Sequence, residues 1–303
     1  MIRFYRRTIK DQQIQEVPDL EVGGWVSVVN PSTEEIDRLT KNLGLDRDNL
    51  ESGLDPNELP RLDTVREDIY IFTKMIPSLV LREIETYLIV IGSNFILTLS
   101  KTEPSFASKI LGNKVDFVTT QKLRCLIEVL SLINEDFESL TQEVVKRVQV
   151  QRKTIRNLQE QELKMLMEQE IVLNELIFAY SYINLLYERI LRKIKFFDQD
   201  KEIIEDLITE TNEGFNICKS SLKTLSNIRN YYVISLSNKL NRIITILTIF
   251  TIILAVPAAI SGVYGMNLIL PLQEHPLGFY YVLTMIITIW GGLIFYFKKT
   301  KIF

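Results

Sequence analysis

The chain has 303 residues, 47% of them apolar and 24% charged, with a formal net charge of −3. That length leaves room for a folded region of about 240 residues beside membrane segments, and so small a charge gives no electrostatic reason to expect a nucleic-acid partner. Cys125 and Cys218 form no CxxC pair, which argues against a zinc site or a disulfide framework and for buried helix residues in a reducing compartment.

The first residues, Met1-Ile2-Arg3-Phe4-Tyr5-Arg6-Arg7, contain no apolar run long enough for a signal peptide. Residues 1–104 hold six of the nine prolines and alternate strand-like with helix-like signals, so an α/β N-terminal domain is expected there. Ile2 to Arg7 and Gly24 to Val29 read as short strands. A helix is expected after Asn30-Pro31-Ser32-Thr33-Glu34-Glu35, with Ser32 or Asn30 as cap and acids in the first turn. Three β-rich runs, Asp68 to Ile76, Arg82 to Ile91 and Asn94 to Leu99, are separated by Pro77-Ser78 and Gly92-Ser93 and predict an antiparallel meander.

After Pro104 the next proline is Pro257, and between Asn113 and Val256 the only glycine is Gly214. So few breakers in a stretch rich in Leu, Ile, Glu, Lys and Gln predict long helices over residues 105–240, packed as antiparallel pairs. The apolar stripe runs through Leu123, Leu126, Ile127, Leu130, Ile133 and Phe137, then through Leu163, Leu166, Met167, Glu170 and Leu173 with one polar interruption. A turn is expected between Phe196 and Gly214. A last helix from about Phe215 to Tyr264 would then measure about 75 Å at 1.5 Å per residue.

Asp198-Gln199-Asp200-Lys201-Glu202 begins like a calcium loop, but the glycine that should follow is missing and Thr209 stands where the twelfth-position Glu belongs. The wider acidic cluster (Asp198, Asp200, Glu202, Glu205, Asp206, Glu210, Glu213) is ordinarily a solvated face. Glu202, Asp206 and Glu210 nevertheless share a helix face and could gather divalent ions between subunits. The sequence has neither GxxxxGK[ST] nor GxGxxG after a strand, so no nucleotide site is expected, and an ATP-driven pump is disfavoured. The single histidine, His275, rules out His-based metal clusters and reads as a loop residue.

Ile243 to Met266 and Leu277 to Phe297 carry no charged side chain, and each is long enough to cross about 30 Å of hydrocarbon as a helix. The expected spans are 241–266 and 277–297, joined by an outer loop 267–276 and followed by a basic tail 298–303. Lys239 and Arg242 precede the uncharged run of the first span and Lys298, Lys299 and Lys301 follow that of the second, while the loop has no Lys or Arg. The positive-inside rule therefore puts both termini in the cytoplasm. Along the first span a narrow stripe of small and hydroxyl residues recurs: Asn241, Ile244, Leu247 or Thr248, Thr251, Ala255, Ala258 and Gly262. Such a stripe either lines a pore or packs helices together. Pro257 removes one intrahelical hydrogen bond and is expected to free a carbonyl toward the bundle interior.

The stripe leads to Tyr264-Gly265-Met266-Asn267, which at the end of the first of two C-terminal spans resembles the signature of the CorA family of magnesium transport proteins. The similarity extends over nearly the whole chain and is most specific there and at Ser237-Asn238-Lys239-Leu240-Asn241. It implies a helical membrane protein of the cell membrane, not an enzyme, assembled as a homopentamer with a funnel-shaped cytoplasmic region. It also implies that Asn267, with the backbone at Gly265, faces the metal at the outer mouth. Asn241 would form a cytoplasmic polar ring, Ile244 and Leu247 a hydrophobic constriction, and Asp206 a place in a regulatory Mg2+ site at the subunit boundary.

Three departures stand out. The loop Leu268 to Pro276 keeps a single acid, the hairpin Pro77 to Arg82 has none, and Ala258 replaces a common Thr. The implied activity is passive, potential-driven uptake of hydrated Mg2+ that cytoplasmic Mg2+ shuts off. The signature does not fix the ion, so Co2+, Ni2+ or Zn2+ transport stays open, as does a membrane-anchored scaffold that transports nothing.

Overall fold

The computed structural model describes residues 1–78, 83–153, 160–267, 270–272 and 274–299. Most of the expected hairpin Pro77 to Arg82, part of the outer loop, and the tail beyond Lys299 lie outside the described residues. The chain forms two compact units, Met1–Ile228 and Arg229–Phe303.

The first unit opens with strands β1 (Ile2–Arg6), β2 (Gln15–Val17), β3 (Gly24–Val29), β4 (Arg61–Val65), β5 (Asp68–Met75), β6 (Glu85–Ile91) and β7 (Phe95–Ser100). They make one sheet in the order β2-β1-β3-β7-β6-β5-β4. β5, β6 and β7 pair antiparallel as the expected meander. β7 then pairs in parallel with β3, placing Trp25 beside Ile96 and Ser27 beside Thr98. β2 and β4 escape sequence reading because they are short or carry polar residues at the sheet edges, where no second face demands apolar alternation.

Period two divides the sheet residues between two cores. Val26, Val28, Tyr70, Phe72, Leu88, Val90, Leu97 and Leu99 face helices α1 (Thr33–Leu43) and α2 (Arg47–Ser52), which contribute Ile36, Leu39 and Leu50. Trp25, Ile71, Met75, Tyr87, Ile89 and Ile96 belong to the other core, with α3 (Ala107–Leu111) and the long helices. β6 and β7 are therefore covered on both faces, which explains their unbroken apolar runs. Ser32 is the cap of α1, in a full capping box with Glu35. Asn30 instead takes a left-handed conformation, φ 45°, before the helix begins.

Helices α4 (Lys122–Lys153), α5 (Glu160–Lys193) and α6 (Asp198–Tyr264) follow. On α4 the expected stripe is inward: Leu126, Leu130, Ile133 and Phe137 are buried. On α5 the register differs from the expected one. Leu166, Gln169, Leu173, Leu176, Tyr180 and Ile183 turn inward, whereas Met167 is 58% exposed. Alternating steps of three and four residues back from Leu173 reach Gln169 rather than Met167, so a polar side chain holds the inward position.

The break expected between Phe196 and Gly214 lies at Ile194–Phe197, and α6 starts at Asp198. Gly214 sits inside the helix because Tyr180 lies against it: a Cβ there would stand 2.4 Å from the tyrosine ring. The Tyr180 hydroxyl meets Thr141 Oγ1 at 3.0 Å, so the ring is held from α4 as well. A glycine that reads as a turn signal is thus a close-approach site between helices.

Candidate functional site

In the second unit, the C-terminal part of α6 is followed by α7 (Gly278–Lys299). Both helices are long and apolar enough to cross a membrane, and only 6% of the most apolar stretch of each is buried. The core helix of a soluble protein would be mostly covered, so these surfaces are left for lipid or for other copies of the chain.

A few side chains on each helix are shielded, and one hydrogen bond joins the two helices. On α6 the shielded residues include Ile249, Ile253, Pro257 and Ile260, with Ile246 and Val256 beside them. On α7 they include Val282, Ile286, Leu293 and Phe297, while Gly278 is covered by Leu272 of the preceding loop. On the same helix, Trp290 donates its indole Nε1–H to the Ile253 carbonyl at 2.8 Å. Proline at 257 has no N–H for the carbonyl four residues back, which is that of Ile253. The freed carbonyl therefore faces α7 and is occupied by the indole, not turned toward a bundle interior.

The predicted stripe lies on the other side of α6. Asn241, Ile244, Leu247, Thr251, Ala255, Ala258 and Gly262 are all exposed. At 100° per residue their mean direction is about 180° from the Ile249–Ile253–Pro257–Ile260 row. Thr245, Thr248 and Thr251 spend their hydroxyl protons on the carbonyls of Asn241, Ile244 and Leu247 at 2.8, 2.8 and 2.9 Å. Thr251, on the stripe, therefore offers its remaining oxygen lone pairs as acceptors, the polarity that water around a cation requires. Among the described residues nothing lies within 4 Å of a Cβ added at Gly262, so no contact with them demands glycine there.

At the helix end, Gly265 N donates to Ser261 O at 2.9 Å and Met266 N to Val263 O at 3.2 Å. The turn carries Tyr264 half-buried and Gly265, Met266 and Asn267 exposed. The negative end of the helix dipole falls beside Asn267 and adds a modest attraction for a cation.

The model of the CorA-like Mg2+ transporter protein family matches residues 22–299. The chain belongs to that family. The Cobalt/magnesium transport protein CorA of Methanocaldococcus jannaschii is 27% identical, over 91% of this chain and 90% of that protein. The complete structure of the CorA magnesium transporter from the same organism superposes with a TM-score of 0.87 at 20% identity, covering 100% of this chain and 99% of that one. The full-length CmaX protein follows at 0.76 and 13% identity, covering 98% and 96%. This CorA-family chain is accordingly a divalent-cation transporter homologue with two membrane-spanning candidates, and its family is one of ion transporters rather than enzymes.

The acids on α6 are dispersed in this CorA-family chain. Asp200 is buried near Arg124, 3.7 Å away. Glu205 pairs with Lys201 at 3.3 Å, and Glu210 accepts from Asn134 Nδ2 at 2.6 Å. Glu202, Asp206 and Glu210 are exposed, and Asp206 makes no ion pair among the described residues. Among those residues no group of three or more His, Cys, Asp or Glu could hold a metal within one chain. His275 accepts from Leu277 N at 3.2 Å through Nδ1 and lies edge-on to Tyr281, a loop role.

Trp290 is the site residue that sequence reading missed. The available signal was its position: a tryptophan well inside a span, away from the interfacial belt, needs a partner for its N–H, and Pro257 provides an acceptor.

Proposed function

We propose that this protein is a homopentameric channel that takes up hydrated Mg2+ passively down the membrane potential and closes when cytoplasmic Mg2+ is high. The observation that carries this reading is the placement of the Asn241-to-Gly262 stripe opposite the α7 contact, ending at Asn267. Two helices cannot enclose a pore, so the uncovered stripe needs symmetry mates, and α7 behind α6 leaves α6 innermost. The large N-terminal region and both termini lie on the cytoplasmic side by the lysine and arginine bias flanking the spans.

Mg2+ dehydrates reluctantly, so its first-shell waters become the groups that are recognised. Amide oxygens of Asn267 from five subunits, with backbone carbonyls near Gly265, accept hydrogen bonds from those waters. Neutral oxygens hold the ion less firmly than a carboxylate ring would and let it leave. The field contributes about 2.3 kcal/mol per charge per 100 mV, about twice that for a divalent ion, so no nucleotide is needed. Ile244 and Leu247, 60% and 65% exposed in the single chain, form the apolar constriction, and Asn241 the polar ring below it. Asp206 stays exposed and joins a regulatory ion between neighbours. That ion favours the closed form by binding it more tightly.

The test is Mg2+ uptake into proteoliposomes under an inside-negative potential. Saturable uptake that Asn267→Ala lowers about tenfold, with oligomeric state unchanged, is the expected result. A stable monomer or no divalent flux would establish the scaffold instead. Because the M. jannaschii relative is named for cobalt as well as magnesium, Co2+ competition belongs in the same assay.

A further inference from the structure

Mid-span polar groups have few partners. Apart from the one that Pro257 releases, carbonyls inside the α6 span have an N–H four residues on to satisfy them. The indole N–H of Trp290 can only donate, and hydrocarbon offers it no acceptor. The 2.8 Å bond to Ile253 O joins these two otherwise orphaned groups.

The shielded side chains of the two spans are otherwise largely aliphatic, Ile249, Ile260, Val282, Ile286 and Leu293 among them. Lipid tails are as apolar as those side chains, so they hold one helix against another without strongly fixing its rotation. A directed hydrogen bond does fix it.

We propose that Trp290 is a positioning residue: its bond to the carbonyl released by Pro257 locks the rotation of α6 about its own axis, keeping Thr251, Ala255 and Ala258 turned away from α7. This rests on the reading of that stripe as the ion path. The sequence elements of the lock are thus a proline on one span and a tryptophan on the other, neither touching the ion. Breaking the bond from either side has the same consequence. Trp290→Phe keeps the aromatic bulk but loses the donor. Pro257→Ala keeps the indole but supplies an N–H that claims the Ile253 carbonyl.

The experiment measures modification of introduced thiols in the full chain in proteoliposomes by a cationic, membrane-impermeant methanethiosulfonate. Thr251→Cys reports the stripe, and Leu254→Cys reports the flank about 60° away. Cys125 and Cys218 are buried, and burial pushes both thiols well above the ordinary range, so the added thiol reports alone. The rate ratio of position 251 to position 254 should fall about threefold in Trp290→Phe, the scale of one intramembrane hydrogen bond. It should fall similarly in Pro257→Ala, and no further in the double variant, because all three lack the same bond. An unchanged ratio in Trp290→Phe, or additive effects of the two substitutions, overturns the lock while leaving the ion path standing. If Thr251→Cys in the otherwise native chain is never modified from water, the ion path is wrong and the lock falls with it.

Discussion

The two units of this chain solve opposite problems. In Met1–Ile228 the apolar surface is covered from within: the central strands are buried on both faces, and Phe137 is wholly enclosed with its ring centroid 5.5 Å from that of Tyr180. In Arg229–Phe303 apolar side chains such as Leu247, Leu254 and Phe295 stay more than half exposed, and Trp290 makes a side-chain hydrogen bond across the two helices. The first unit is specified by its own packing. The second is left for surroundings the chain does not contain, which on the proposed function are lipid and symmetry mates. Substitutions of packed residues in the first should therefore alter stability, and substitutions in the second should alter transport.

The largest separation comes from Phe137→Ala. Removing a fully buried ring should cost about 3–5 kcal/mol, seen as a large drop in the thermal midpoint of the purified full chain. Gly214→Ala comes next, since its Cβ would press on a tyrosine held from α4. Overpacking of this kind costs about 1–3 kcal/mol, again read from the melting transition. If Gly214→Ala melts like the native chain, the close approach of α5 and α6 is not what fixes glycine there.

Asp206→Ala sharpens the contrast from within the first unit, because the side chain is exposed and makes no ion pair among the described residues. The melting point should move little. The internal Mg2+ concentration needed to halve flux should rise several-fold, on the scale of the coupling that a regulatory ion provides. Unchanged closure would remove Asp206 from the regulatory site.

Asp136→Asn is the smallest. Burial raises the Asp136 carboxyl above the ordinary range, although a hydrogen bond from the Ser105 hydroxyl and the nearby Lys109 oppose this. A folded-state value above the unfolded one gives stability that is present below the unfolded pKa and lost as pH rises through the folded pKa. The contribution of Asp136 should therefore fall on going from acid to neutral pH, and the difference in melting point between Asp136→Asn and the native chain should shift in favour of the variant as pH rises across the carboxylate range.

Several elements were legible from local pattern. The strands at Gly24–Val29 and Asp68–Met75, the Ser32 cap and the long breaker-free helices follow from period two, capping chemistry and the scarcity of Gly and Pro. Others were not. The edge strand Arg61–Val65 carries Asp63 and Thr64 and has no apolar alternation to reveal it. Gly214 looks like a turn until Tyr180 is seen against it. In the span unit, the order of residues places Asn267 and the small-residue stripe but is silent on which side α7 takes.

The sequence alone determined where the apolar spans lie, which residues share a helix face and how the charges flank them, because these depend on neighbours within a few turns. Only the tertiary structure decided that Gln169 rather than Met167 turns inward, that the Ile253 carbonyl meets an indole, and that the stripe lies opposite the second span. Each of those facts depends on groups far apart in the chain, and no local periodicity records how distant surfaces are rotated against one another.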